Sequence, residues 1–148
     1  MKRYVVGFPT QKLSVLLIKK NRPRWQTGRY NGIGGHIEKG EKPIDAMVRE
    51  CEEETGLRTI AEQWEKFVIY RGKKYIVHFF VAFNVDISQA VQKTDEELKI
   101  FDISTFDYDM KMGKGMIYNL NWLLPLAFDG AVKTPITIYE QTETGHAS

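Results

Sequence analysis

The stretch PIDAMVRECEEETG, residues 43–56, decides how this chain is read. Ile44, Met47, Val48 and Cys51 repeat at spacings of three, four and seven, which predicts a helix with one apolar stripe. Pro43 suits the first helical turn, and Gly56 suits the position just past the last one. Within that helix, RECEEE (49–54) places four glutamates and one arginine in six positions. Glu50, Glu53 and Glu54 stand at i, i+3 and i+4 and share one face. Like charges at those spacings repel by roughly a few tenths of a kcal/mol per pair. They also fall at the helix C-terminus, where the macrodipole disfavours negative charge. Two local rules are broken in one turn, and such breaks concentrate at functional sites.

A run of charge on a helix is ordinarily a solvated face. Here the acids follow a long polar loop, NRPRWQTGRYNGIGGHIEKGEK (21–42), and long loops inside compact domains are usually functional. Hard divalent cations such as Mg²⁺ take oxygen ligands, typically a few carboxylates together with substrate phosphates and water. Three carboxylates beside a glycine-rich backbone offer such a site. The reaction class that follows is metal-assisted attack by water on a phosphate linkage.

The stretch GHIEKGEKPIDAMVRECEEETGL (35–57) resembles the box of the Nudix family, whose pattern is G-x5-E-x7-R-E-U-x-E-E-x-G-U with U bulky and aliphatic. Gly35, Glu41, Arg49, Glu50, Glu53, Glu54 and Gly56 match its fixed letters, and Leu57 fills the last U. Cys51 departs from the pattern at the other U, where it is expected to pack as a small hydrophobe. Strands outnumber helices in the local pattern, which predicts an α+β fold with a mixed sheet; the resemblance implies an α/β/α sandwich around that sheet, with the box as loop–helix–loop. It implies hydrolysis of a nucleoside diphosphate linked to another group, with Mg²⁺ or Mn²⁺. Glu50, Glu53 and Glu54 would ligate the metal with help from the Gly35 carbonyl, and Glu53 would be the ligand whose loss costs most. Arg49 and Glu41 would pair to hold the loop against the helix. The catalytic base would be a box glutamate or a later one, for which KTDEEL (93–98) offers Glu96 and Glu97.

Shorter pieces resemble the MutT-type triphosphatases of that family. RYNGIGGHIEKGE carries His36 where several relatives carry lysine, and an imidazole there would meet phosphate with a pH-dependent charge. NLNWLLPLAFDG (119–130) resembles their late helix, which implies Asn119 bonding a purine edge and Trp122 stacking on the base, the alternative being that Trp122 packs in the core. Trp25 and Phe8 are further candidates for the base wall. Lys19, Lys20, Arg22, Arg24 and Arg29 are candidates for steering polyphosphate. Tyr75 lies at a distance from the box compatible with dinucleoside polyphosphate hydrolases, although it is also an ordinary strand residue. No proline occurs between Leu57 and Ile100, where the ADP-ribose enzymes often carry one.

Length and composition are consistent with this reading. The 148 residues suit one domain, expected over 1–140, followed by a polar tail, 141–148, expected to fray. A net charge of +2 does not argue for a polymeric nucleic-acid partner, and the partner that the resemblance implies is a small nucleotide. Cys51 is the only cysteine, which excludes an internal disulfide. No apolar run reaches signal or membrane length, so a cytoplasmic location is expected. Strands are expected at 3–8, 12–20 and 97–104, with a turn at Pro9 between the first two. A hairpin is expected over 62–85, turning at Arg71–Lys73, and a second helix over 116–130 with Pro125 kinking or ending it.

Overall fold

The computed structural model describes residues 1–105 and 115–141. The long strand β1 (Lys2–Gln11) organises the sheet. Its residues up to Pro9 run parallel to β6 (Tyr75–Ala82), from Lys2 opposite Tyr75 to Pro9 opposite Ala82. Its first half pairs on the other side with β4 (Ile33–His36), antiparallel, and its last residues pair with β2 (Ser14–Lys19). Beyond β6 lie β5 (Trp64–Arg71), antiparallel, and β8 (Ile136–Tyr139), parallel to β5. β2 is flanked by the short β3 (Tyr30–Asn31) and by β7 (Leu98–Asp102). Parallel and antiparallel ladders coexist, so the sheet is mixed as expected.

Alternation along the strands divides the core in two. Phe8, Val68, Phe79 and Val81 point to one face and pack with Leu120, Leu123 and Leu124 of helix α2 (Leu120–Ala127). Val5, Trp64 and Phe80 point to the other and pack with Met47 and Cys51 of helix α1 (Pro43–Thr55). The result is a helix–sheet–helix sandwich. The hairpin turns after Arg71, as the sequence predicts. No helix among the described residues is long and apolar enough to cross a membrane.

Four details differ from the sequence reading. The first turn falls at Lys12–Leu13, where Lys12 takes φ 54°, while Pro9 is a strand residue. The 21–42 loop contains two short strands and a helical turn at Arg24–Gln26. α2 begins at Leu120, not 116, and Pro125 sits inside its last turn. Strand β8, which local pattern did not single out, closes the sheet edge. Of the expected tail, 142–148 lie outside the described residues.

Candidate active site

α1 starts without a side-chain cap: Pro43 occupies its first turn, and the Ala46 amide donates to the Lys42 carbonyl. It ends at Gly56, whose φ of 73° lies in the left-handed region open to glycine. The buried stripe Met47–Cys51 anchors the helix on β1 and β4. A flank of the same packed side brings Glu50 and Glu54 against the Gly34–Gly35 strand. Cys51 is fully buried beside Thr55, and burial pushes its thiol up to about 11, so it packs rather than reacts.

Arg49 is the hub of the site. Its guanidinium donates two bonds to Glu41, from Nε to Oε2 at 2.8 Å and from Nη2 to Oε1 at 2.9 Å. Nη1 donates to Glu50 Oε1 at 2.9 Å and Glu53 Oε2 at 3.2 Å, and Nη2 also reaches the His36 carbonyl at 3.0 Å. The fork ties the 36–41 loop to the helix and gathers two of the three predicted ligands. Hydrogen bonds from Arg49 hold the Glu41 carboxyl down at about 2. Glu41 also accepts from the Glu38 amide at 3.0 Å, closing the loop on itself.

The three helix glutamates share a face but not an environment. Glu53 is exposed. Glu50 is largely covered, and its carboxylate occupies the space a side chain at residue 35 would need: a Cβ on Gly35 would sit 2.6 Å from Glu50 Oε1. Glu54 is only 8% exposed and accepts from the Gly34 amide at 3.1 Å. Burial pushes its carboxyl up to about 8; Glu50 and Glu96 push the same way, against Lys20 and the Gly34 N–H.

Glu96 reaches this array from the far side of the sheet sequence, and it is 4% exposed. It accepts from the Asn21 amide at 2.6 Å and from Lys20 Nζ at 3.3 Å. Glu97 points elsewhere: it is exposed, and its carboxylate accepts from the Tyr30 hydroxyl at 3.3 Å. The structure thus separates two neighbours that the sequence offers as equals. Lys20 pairs with Glu96 at 3.3 Å, and Arg22 pairs with Asp95 at 2.9 Å while its Nη1 also stands 3.9 Å from Glu96 Oε2.

Among the described residues, no three His, Cys, Asp or Glu side chains form a ready-made metal-ligand group. The reason is visible in the contacts, since Arg49 holds Glu50 and Glu53 while Glu54 turns to the Gly34 amide. The donor set still fits a hard cation. It is all carboxylate oxygen, it is short of positive charge at Glu54, and Gly35 leaves room for Glu50.

The expected base pocket is less uniform. Asn119 stands at the N-cap position of α2 without making a side-chain cap bond, and its Oδ1 is buried without a hydrogen-bond partner among the described residues. Trp122 is 37% exposed, so it is not a core residue. Trp25 and Arg24 lie on the exposed helical turn of the 21–42 loop. His36 is exposed, with its ring 4.5 Å from that of Tyr4, a neighbour the sequence reading missed because the contact crosses strands. Phe8 is fully buried and cannot form a pocket wall. Tyr75 stacks on Tyr70 and donates to Glu140 at 3.4 Å.

The Nudix domain model matches residues 2–120. No curated protein matches the chain by sequence. Among solved structures, the fold is similar to a MutT structure from the pair Aliivibrio salmonicida and Vibrio cholerae, with a TM-score of 0.67 at 21% identity over 85% of this chain and 96% of that one. It is similar to a mutator MutT protein from Bacillus halodurans, with a TM-score of 0.63 at 18% identity, covering 94% and 87%. It is also similar to a NUDIX-family hydrolase from Clostridium perfringens, with a TM-score of 0.59 at 19% identity, covering 85% and 92%. A family match over most of the chain, on a fold that these structures share, establishes that the chain belongs to the Nudix family and is a Nudix hydrolase.

Proposed function

We propose that the chain is a nucleoside triphosphate pyrophosphohydrolase that releases a nucleoside monophosphate and pyrophosphate, with Mg²⁺ or Mn²⁺ held by Glu50, Glu53, Glu54 and the Gly35 carbonyl. The observation that carries this reading is the carboxylate array of Glu50, Glu53, Glu54 and Glu96, positioned by Arg49 and Lys20. A bound divalent ion supplies charge neutralisation at the phosphates and a more acidic water. The chain's residues do the rest. Arg49 orients Glu50 and Glu53 from the Glu41 anchor. Glu96, fixed by Lys20 and the Asn21 amide, keeps unused lone pairs on its carboxylate and accepts the proton of the attacking water. Glu97, engaged by Tyr30, is the weaker candidate for that role.

The triphosphate reading draws on Asn119 and Trp122 at the start of α2. The unpartnered Asn119 Oδ1 has acceptor capacity for a base N–H, and the exposed indole of Trp122 offers a stacking surface. His36, at the exposed end of β4, and Arg24, on the exposed helical turn, are positions suited to phosphate. Clearing of oxidised nucleotides is one use of such an activity. Tyr75, engaged by Glu140 and Tyr70, gives the dinucleotide reading no free side chain.

The test is product analysis with Mg²⁺ and Mn²⁺ across canonical and oxidised triphosphates, dinucleoside polyphosphates, ADP-ribose and nucleotide sugars. Monophosphate and pyrophosphate from a triphosphate are expected. Preference for a dinucleotide or a sugar would discard the base pocket. Glu53→Gln is expected to keep the fold and remove nearly all activity. A residual rate above about a tenth, a difference of only ~1.4 kcal/mol, would overturn the ligand assignment.

A further inference from the structure

The sheet face that carries α1 continues past the helix, and its charges there are not paired. Directly opposed strand residues point to the same face, so the ladders define its rows. One row is Arg3, Ile76, Arg71 and Tyr139; the next is Val5, His78, Ile69 and Thr137; the third is Gly7, Phe80 and Lys66. His78 therefore has Arg3 and Arg71 in the row on one side and Lys66 in the row on the other. His78 is only 8% exposed, and its Nδ1 is buried without a hydrogen-bond partner. Burial, and then the charges of Lys66, Arg3 and Arg71, push the imidazole down to about 4.

The three cations lack acidic partners. Among the described residues none of them forms an ion pair within 4.0 Å, although Lys20, Arg22, Arg49 and Arg58 do. Lys66 Nζ lies over the Phe80 ring at 5.6 Å. Among the described residues Arg3 donates to the carbonyls of Glu38 and Glu41, both at 3.5 Å, and its charge helps to hold the Glu41 carboxyl down. β1, β5, β6 and β8 contain one acid between them, Glu65. Glu65 stands opposite Val81 on the other face and accepts from Thr134. Three like charges gathered around a neutral ring with an unsatisfied nitrogen are unfavourable without an anion.

We propose that this face is a second, oxyanion-binding site for a phosphate group, held by Lys66, Arg71 and Arg3 with His78 and the Thr137 hydroxyl as further donors. The charge match favours phosphate, since three cations meet a group carrying about −1.5 to −2 near neutral pH. Guanidinium forks suit its paired oxygens. The ligand is either the free ion or the terminal phosphate of a nucleotide. The site stands independently of the box chemistry, and it adjoins the box only through Arg3.

The experiment is an NMR titration of the His78 ring in the full metal-free chain, with inorganic phosphate added at constant ionic strength, alongside calorimetry. A saturable shift is expected, with the imidazole pKa rising on binding because a nearby anion favours its charged form. The double variant Lys66→Gln/Arg71→Gln should bind at least about tenfold more weakly, since each charged hydrogen bond is worth ~1.5 kcal/mol or more. If that variant does not fold, Arg71→Gln alone, at an exposed position, should weaken binding in the same direction. Glu53→Gln should leave the titration unchanged. The proposal is overturned if His78 shows no saturable shift. It is overturned equally if chloride produces the same shift, if the cation variants bind as wild type, or if Glu53→Gln abolishes the response. Tighter binding of a nucleoside monophosphate would identify a nucleotide as the source and equal binding the free ion; either outcome sustains the site.

Discussion

Replacing Arg49 by alanine tests the hub directly. The side chain touches Glu41 twice, Glu50, Glu53 and the His36 carbonyl, and it is about a quarter exposed. Removing one partner from a fully buried ion pair costs about 3–5 kcal/mol. Partial exposure screens the interaction, which brings the expected loss to ~2–3 kcal/mol. For a chain of this length that is a fall in Tm of about 4–12 °C. Arg49→Lys keeps the charge but not the two-point fork, so it should recover less than half of the loss. The acid limb carries a second signature. Arg49 holds Glu41 at about 2 against an ordinary 4.5. A folded pKa below the unfolded one means that this stability is present above the unfolded value and lost as pH falls from about 4.5 towards 2. The limb should flatten in Arg49→Ala. Thermal denaturation followed by circular dichroism, from neutral pH downwards, reads both effects. A Tm within about 2 °C of wild type, with an unchanged acid limb, would refute the reasoning.

The remaining predictions concern the carboxylates. Glu54 has a folded pKa of about 8 against 4.5, so its contribution is fully present below the unfolded value and lost as pH rises through the folded one. The metal-free protein should therefore lose stability across that window, and Glu54→Gln should remove the slope; an identical slope in the variant would show that Glu54 is not its source. Gly35→Ala places a methyl against Glu50, so activity should fall at least tenfold, about 1.4 kcal/mol, with Tm nearly unchanged, as measured by kcat/KM and thermal melts. Glu96→Gln should lower kcat by roughly 10²-fold while Glu97→Gln stays within about threefold; the reverse order in steady-state kinetics would exchange their roles. Chelation of divalent ions should abolish turnover and Mg²⁺ or Mn²⁺ should restore it, a dependence that an unaffected chelated enzyme would contradict.

The box was legible in the sequence because its physics is local. One helical stripe, one glycine stop and one glutamate face follow from 3.6-residue spacing and need no partner elsewhere in the chain. The strands of the 62–85 hairpin were legible for the same reason. What the tertiary structure decided is long-range. Strand β8 is four residues long and exists because it can lie parallel to β5, more than sixty positions earlier. Ile33–His36 carries two glycines, which argue against a strand, yet it pairs with β1, and the missing side chains let its backbone lie against Val5, Glu50 and Glu54. Glu96 and Glu97 are equivalent as letters; only the approach of Lys20 and Asn21, just past β2, and of Tyr30 in β3 turns one into the array and the other away. Arg3 is remote in sequence from the hairpin that carries Lys66, Arg71 and His78, and it joins them only through strand register. Local spacing therefore determined which groups carry the box chemistry, and non-local pairing decided where their charges point.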